Sequence, residues 1–121
     1  MIQGLRTVIY PVSDLAKGKE WYGKVLGIEP YFDEPFYVGY TVGGFELGLI
    51  PDGVPGSQGA LAYWGVPDAN AEISRLKEMK AQVHEPVKDV GGGIKVASVV
   101  DPFGNLFGII ENPGFNLQEV R

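Results

Sequence analysis

The spacing of apolar residues changes period several times along this chain, and each change marks an element. Residues 5–12 (Leu-Arg-Thr-Val-Ile-Tyr-Pro-Val) are rich in β-branched and aromatic side chains and read as a strand. Ser13-Asp14 follows as a helix N-cap pair, because a side-chain oxygen there accepts from the free amides of the first turn. Over 14–26 the period turns helical. Leu15, Gly18, Trp21, Tyr22, Val25 and Leu26 recur at three- and four-residue spacing, with Lys17, Glu20 and Lys24 on the other side. Gly27 supplies a stop in the left-handed region. Three strands are expected next, at 29–32, 36–42 and 45–50, with Gly43-Gly44 as the hairpin turn between the last two. Residues 51–59 read as a linker.

The same order restarts at residue 60. Residues 60–66 form a strand, and Pro67-Asp68 takes the capping place. Residues 69–80 form a helix with Ala69, Ile73, Leu76 and Met79 on one face. Strands follow at 82–85, 94–100 and 105–111. Asp101-Pro102-Phe103-Gly104-Asn105 is a tight turn by composition. Val12 and Asp14 match Val66 and Asp68 at a shift of 54 residues, and Leu47-Gly48-Leu49-Ile50 matches Phe107-Gly108-Ile109-Ile110 at a shift of 60. An internal repeat constrains the fold more than any single motif does. The fold class expected is α+β: two tandem βαβββ repeats, about 5–50 and 60–111, form a curved mixed sheet around a cleft, with the helices outside and a C-terminal tail over 112–121. At 121 residues this is one domain.

Composition narrows the function classes. Hydrophobic residues make up 45% and charged residues 21%, the balance of a packed globule. The absence of cysteine excludes disulfides, thiolate metal sites and a Cys nucleophile. A net charge of −5 argues against nucleic acid, whose phosphates need a basic surface. No apolar run approaches the roughly 20 residues of a membrane span. The N-terminal residues lack the basic and apolar segments of a secretory signal, so a cytoplasmic protein is expected.

Val12-Ser13-Asp14, Trp21-Tyr22, Leu26-Gly27, Val66-Pro67-Asp68 and Asp101-Pro102-Phe103-Gly104-Asn105 together resemble the glyoxalase/bleomycin-resistance/dioxygenase superfamily. The resemblance covers about residues 4–112. It implies the duplicated scaffold, and in the superfamily's enzymes a divalent metal held by one His, Gln or Glu from each of four strands. Counted from the shared motifs, those positions fall on Thr7, Gly48, Leu61 and Gly108. Leu and Gly offer no side-chain donor, and a neutral Thr hydroxyl is a poor lone ligand. No metal and no other cofactor is therefore expected. Members are often dimers, which implies a homodimer here.

Several residues remain as candidates for chemistry. Strand alternation puts Glu46, Gly48 and Ile50 on one face, so Glu46 is either a general base or acceptor in the cleft or a solvated carboxylate near a hairpin. Glu111 has the opposite parity to Gly108 and is kept out of the cleft. Ile9 shares a face with Thr7, and Tyr63 with Leu61. Tyr63 either lines the cleft with its hydroxyl available or is plain sheet packing. Gly48 and Gly108 either leave room for a bulky ligand or mark a bulge shared by both repeats. Tyr10, Val8 and Trp64 are expected to face the helices, and Trp21 and Tyr22 to anchor the first one. The faces of Tyr37 and Tyr40 stay open. His84, the lone histidine, is an edge-strand surface residue, and a single His builds no usual transition-metal site. Gly91-Gly92-Gly93 lacks the Lys and helix start of a phosphate loop and reads as a flexible loop or lid.

The function expected is metal-independent binding or sequestration of a small apolar or aromatic molecule, with Thr7, Ile9, Gly48, Ile50, Leu61, Tyr63 and Gly108 lining the cleft. One alternative is a lyase or isomerase using Glu46 or Tyr63 for proton transfer. The other is a paralogue without chemistry that acts through protein partners. The sequence names no ligand.

Overall fold

The computed structural model describes residues 1, 3, 5–58 and 61–116. Gly59, Ala60 and residues 117–121, expected to end the linker, open the second repeat and close the tail, lie outside the described residues. The elements run β1 (Thr7–Pro11), α1 (Leu15–Leu26), β2 (Phe32–Glu34), β3 (Tyr37–Val42), β4 (Phe45–Ile50), β5 (Tyr63–Gly65), α2 (Ala69–Glu78), β6 (Gln82–Gly91), β7 (Ile94–Val100) and β8 (Leu106–Glu111). They fall into two compact units, Met1–Gly56 and Ser57–Arg121. Among the described residues each unit has one helix and one four-stranded mixed sheet, the α+β arrangement that the repeat predicts.

In the first unit the strand order is β1-β4-β3-β2, with β4 parallel to β1 and antiparallel to β3. Alternate residues face the helix: Tyr10, Val38, Tyr40, Leu47 and Leu49 are buried against Tyr22 and Val25 of α1. Each buried leucine of this kind contributes about 1.5–3 kcal/mol of transfer free energy. The Tyr10 and Tyr22 rings lie 5.5 Å apart, and the Tyr40 hydroxyl donates to the Lys19 carbonyl at 3.0 Å. Tyr40 is therefore core. Gly18 lets the helix approach: a Cβ there would lie 3.0–3.2 Å from the Val12 side chain. Asp14 caps α1 by accepting from the Lys17 amide at 3.1 Å, and Gly27 closes it at φ 70°. β2 starts at Phe32 and not at residue 29. Pro30 has no amide to give, so pairing begins with the Tyr31 N–H on the Gly39 carbonyl, at 2.9 Å.

The second unit repeats the order as β5-β8-β7-β6. Ala97, Val99, Phe107 and Ile109 meet Ala69, Ile73 and Leu76 of α2. Two carboxylates hold the start of α2: Asp68 accepts from the Ala71 amide at 3.1 Å and Glu111 from the Ala69 amide at 2.9 Å. Glu111 thus lies on the helix side, as its parity requires. β6 runs far beyond the 82–85 expected from the sequence. Register shifts between Val83 and Glu85, Glu85 and Lys88, and Asp89 and Gly91 absorb Pro86, which cannot donate to the ladder. Gly91, Gly92 and Gly93 sit at φ 107°, 63° and 78° where β6 turns into β7, so the triple glycine is a hairpin turn and not a lid. No described helix is long and apolar enough to cross a membrane.

The turn between β7 and β8 hangs on one buried carboxylate. Asp101 accepts from the Phe103 amide (2.8 Å), the Asn105 amide (2.9 Å) and the Asn105 side-chain amide (2.9 Å). Asp101→Ala orphans these donors and is expected to cost about 2–3 kcal/mol, read as a drop in the urea midpoint; an unchanged midpoint would refute the role.

A second prediction concerns alkali. Burial, and then the charges of Asp33 and Glu29, push the Tyr40 phenol up to about 12. An unfolded tyrosine titrates near about 10, so the contribution of protonated Tyr40 is complete below that pH and is lost as pH rises through about 12. The urea midpoint is expected to decline across that window, and Tyr40→Phe to decline less steeply; equal slopes would rule the assignment out.

Candidate functional site

The residues between the core positions form the other face of the first sheet. Strand pairing sets them in rows. Thr7, Glu46 and Thr41 make one, and Ile9, Gly48, Gly39 and Phe32 the next. Ile50, Tyr37 and Glu34 continue the face. No helix of this unit packs here, because α1 meets the opposite side, and Ile9 is 50% exposed.

Two facing glycines at the middle of the sheet leave a trough, and tyrosines fill it. A Cβ on Gly39 would lie 3.1 Å from the Tyr31 ring and 3.2 Å from the Tyr37 ring, and a Cβ on Gly48 would collide with the Tyr37 ring and hydroxyl. No register shift occurs at Gly48, so the bulge reading does not apply to it. The room above Gly48 belongs to Tyr37. From there both tyrosines reach one carboxylate: Tyr31 donates to Oε1 of Glu46 and Tyr37 to Oε2. The hydrogen bond to Glu46, then desolvation and the Glu46 charge, raise the Tyr31 phenol above its ordinary value. Burial, then the same two Glu46 effects, raise Tyr37. Both phenols therefore remain protonated donors through the neutral range. Around them stand more rings: Phe32 lies 6.4 Å from Tyr31, 6.1 Å from Tyr37 and 6.0 Å from Phe36, which is 64% exposed.

The corresponding face of the second unit carries Tyr63, Gly108 and Ser98 in one row. A Cβ on Gly108 would lie 2.5 Å from the Ala62 carbonyl oxygen and 2.8 Å from the Tyr63 ring, so backbone and an aromatic ring together close over this glycine. Tyr63 is 45% exposed, and its hydroxyl has no hydrogen-bond partner among the described residues. The buried Ser98 hydroxyl lies 3.2 Å from Nδ1 of His84 on the edge strand. Leu61 is half-buried just before β5. The position matching Glu46 holds Leu106, so among the described residues the matching point of this face carries no carboxylate.

A family model, the Glyoxalase/Bleomycin resistance protein/Dioxygenase superfamily, matches residues 4–109. The chain belongs to this superfamily. No curated protein matches it in sequence. Among solved structures it is similar to a lactoylglutathione lyase from Agrobacterium tumefaciens (17% identity, covering 96% of this chain and 100% of that one, TM-score 0.79). It is also similar to the fosfomycin resistance protein FosX of Listeria monocytogenes (16% identity, 100% of both chains, TM-score 0.77). A glyoxalase-related enzyme from Fulvimarina pelagi aligns at 22% identity over 93% of this chain and 90% of that one, TM-score 0.74. At these identities the likeness is one of fold.

The superfamily resemblance implies a divalent metal, and the residues at the implied positions do not fit one. Gly48, Leu61 and Gly108 present no donor atom, Thr7 presents only a neutral hydroxyl, and the Tyr37 phenol occupies the space beside Gly48. Among the described residues, no group of three or more His, Cys, Asp or Glu is placed to hold an ion.

Of the residues singled out in the sequence, the first unit unites Thr7, Ile9, Glu46, Gly48 and Ile50 on one face, while Leu61, Tyr63 and Gly108 belong to the second unit. Tyr31 escaped sequence reasoning. The strand expected over 29–32 begins only at Phe32, and Tyr31 falls in a bend to which alternation assigns no face. The available signal was the pair Gly39 and Gly48, since an aromatic ring can pack over the bare backbone of a strand glycine.

Gly48→Ala is expected to push the Tyr37 hydroxyl off Glu46 while leaving the fold intact, because the ring can swing aside. The Tyr37 phenol should then titrate closer to about 10 by ultraviolet difference absorbance; a titration curve identical to that of the parent protein would count against the packing described.

Proposed function

We propose that this superfamily member binds a small apolar or aromatic molecule on the open face of its first sheet, without a metal. The observation that carries the reading is the Glu46 carboxylate, fixed by Tyr31 and Tyr37 over the glycine pair and flanked by exposed Ile9 and Phe32. Small-ligand sites typically combine apolar and aromatic walls with a few oriented polar groups, and this face has that make-up. The side-chain chemistry of Thr7, Gly48, Leu61 and Gly108 supports a role that needs no Lewis acid. Resistance proteins such as FosX of Listeria monocytogenes share the fold, which makes handling of a small toxic molecule a reasonable class of task.

A second reading, a lyase or isomerase, is favoured by the same carboxylate, because a positioned Glu beside two phenols suits proton transfer. The two readings separate once a ligand is in hand. An enzyme of this kind washes solvent deuterium into an activated C–H of its ligand, and a binding protein does not.

A thermal-shift screen of a chemically broad library is expected to yield ligands that stabilise the fold. Saturation at 100 times Kd corresponds to about 2.7 kcal/mol. Chelator should leave the effect unchanged, and Ile9→Lys should abolish it by placing an exposed charge on the face. Hits that require a divalent ion, or that ignore Ile9→Lys, would overturn the proposal. A library without hits would favour a protein partner instead.

A further inference from the structure

The chemistry of the proposed face narrows its ligand. We infer that the molecule held there carries a cationic nitrogen, seated between the Glu46 carboxylate and the Tyr31, Tyr37 and Phe32 rings. This rests on the reading of that face as the ligand site.

Glu46 makes no ion pair with any Lys, Arg or His among the described residues. The nearest base in sequence pairing is Arg6, whose carbonyl accepts from the Glu46 amide. Its guanidinium turns instead to the Leu5 carbonyl and to Gln3. Lys19 is occupied by Asp33 at 2.9 Å. The groups that do touch Glu46 are two neutral phenols, each giving one hydrogen bond, so its charge is oriented without being cancelled. A carboxylate has about four acceptor sites, which leaves room for a further donor or a close cation.

The surroundings suit that charge as well. Tyr31 is 60% exposed and Phe32 37% exposed, and their ring faces carry the negative end of the aromatic quadrupole. Rings gathered beside one fixed carboxylate recognise ammonium groups through cation–π attraction. Glu34, paired with Tyr37 in the β2–β3 ladder, adds a second exposed carboxylate to the face. An anionic ligand would be repelled by Glu46 and Glu34, and a neutral donor could hydrogen-bond to Glu46 without answering its charge.

Four probes sharing a phenyl ring separate the possibilities: benzyltrimethylammonium, benzylammonium, benzyl alcohol and benzenesulfonate, followed by amide shift perturbation of β1–β4 in NMR titrations. Either cation should bind at least tenfold more tightly than benzyl alcohol, and benzenesulfonate should not bind. Preference for benzylammonium identifies N–H donation to Glu46, and equal affinity for the quaternary ion identifies the rings. Glu46→Gln should erase most of the cation advantage and leave benzyl alcohol within about twofold. Tyr31→Leu, which removes both the ring and the hydrogen bond to Glu46, should weaken the cations about two- to fivefold, and Tyr31→Phe, which keeps the ring, should weaken them less. If benzyl alcohol or benzenesulfonate binds the face as well as the cations do, or if Glu46→Gln leaves cation affinity unchanged, the cationic-ligand inference is wrong while the face remains a ligand site. If none of the four perturbs these strands and every library ligand ignores Ile9→Lys, the site itself is misplaced.

Discussion

The register of β4 decides almost everything else in the first unit. This strand is hydrogen-bonded on both sides, parallel to β1 and antiparallel to β3, and its side chains alternate between the helix and the open face. Leu47 and Leu49 are wholly buried beneath α1, which holds Glu46, Gly48 and Ile50 outward. A slip of one residue would bury a carboxylate and expose two leucines. That exchange costs several kilocalories, so the hydrophobic pattern alone pins the register. The site is a by-product of that pinning: once the leucines are inside, Glu46 must stand on the open face.

The two units show how one scaffold carries different side chains at matching points. In both, a glycine at the centre of the face lies under an aromatic ring, Tyr37 over Gly48 and Tyr63 over Gly108. The residues around that shared motif have diverged. Glu46 corresponds to Leu106, and Gly39 to Ser98, which bonds to His84. The charged centre of one copy is an apolar position in the other. Duplication supplied the geometry, and single side chains supplied the chemistry.

Most of the fold could be read directly from the sequence. The repeat, both helices with their Asp14 and Asp68 caps, and the Asp101–Asn105 turn rest on local rules, and local rules are what a sequence displays. The extent of β6 could not be read, because its bulges around Pro86 break the alternation that marks a strand. The site was half visible. Alternation placed Thr7, Ile9, Glu46, Gly48 and Ile50 on one face, but the partners of Glu46 come from 15 and 9 residues away, and Tyr31 sits in a bend. What those residues share is a tertiary contact, for which no periodicity exists. Nor does composition reveal that the room left at Gly48 is taken by the Tyr37 ring.

That packing limits the changes open to the protein. A side chain at position 48 meets the phenol of Tyr37, so a donor such as glutamate can be added there only if that ring swings away from Glu46. Removing Tyr37 first frees the space but strips Glu46 of one of its two supports. Positions 48 and 37 are therefore coupled: a coordinating residue on this strand comes at the expense of a hydrogen bond that orients Glu46.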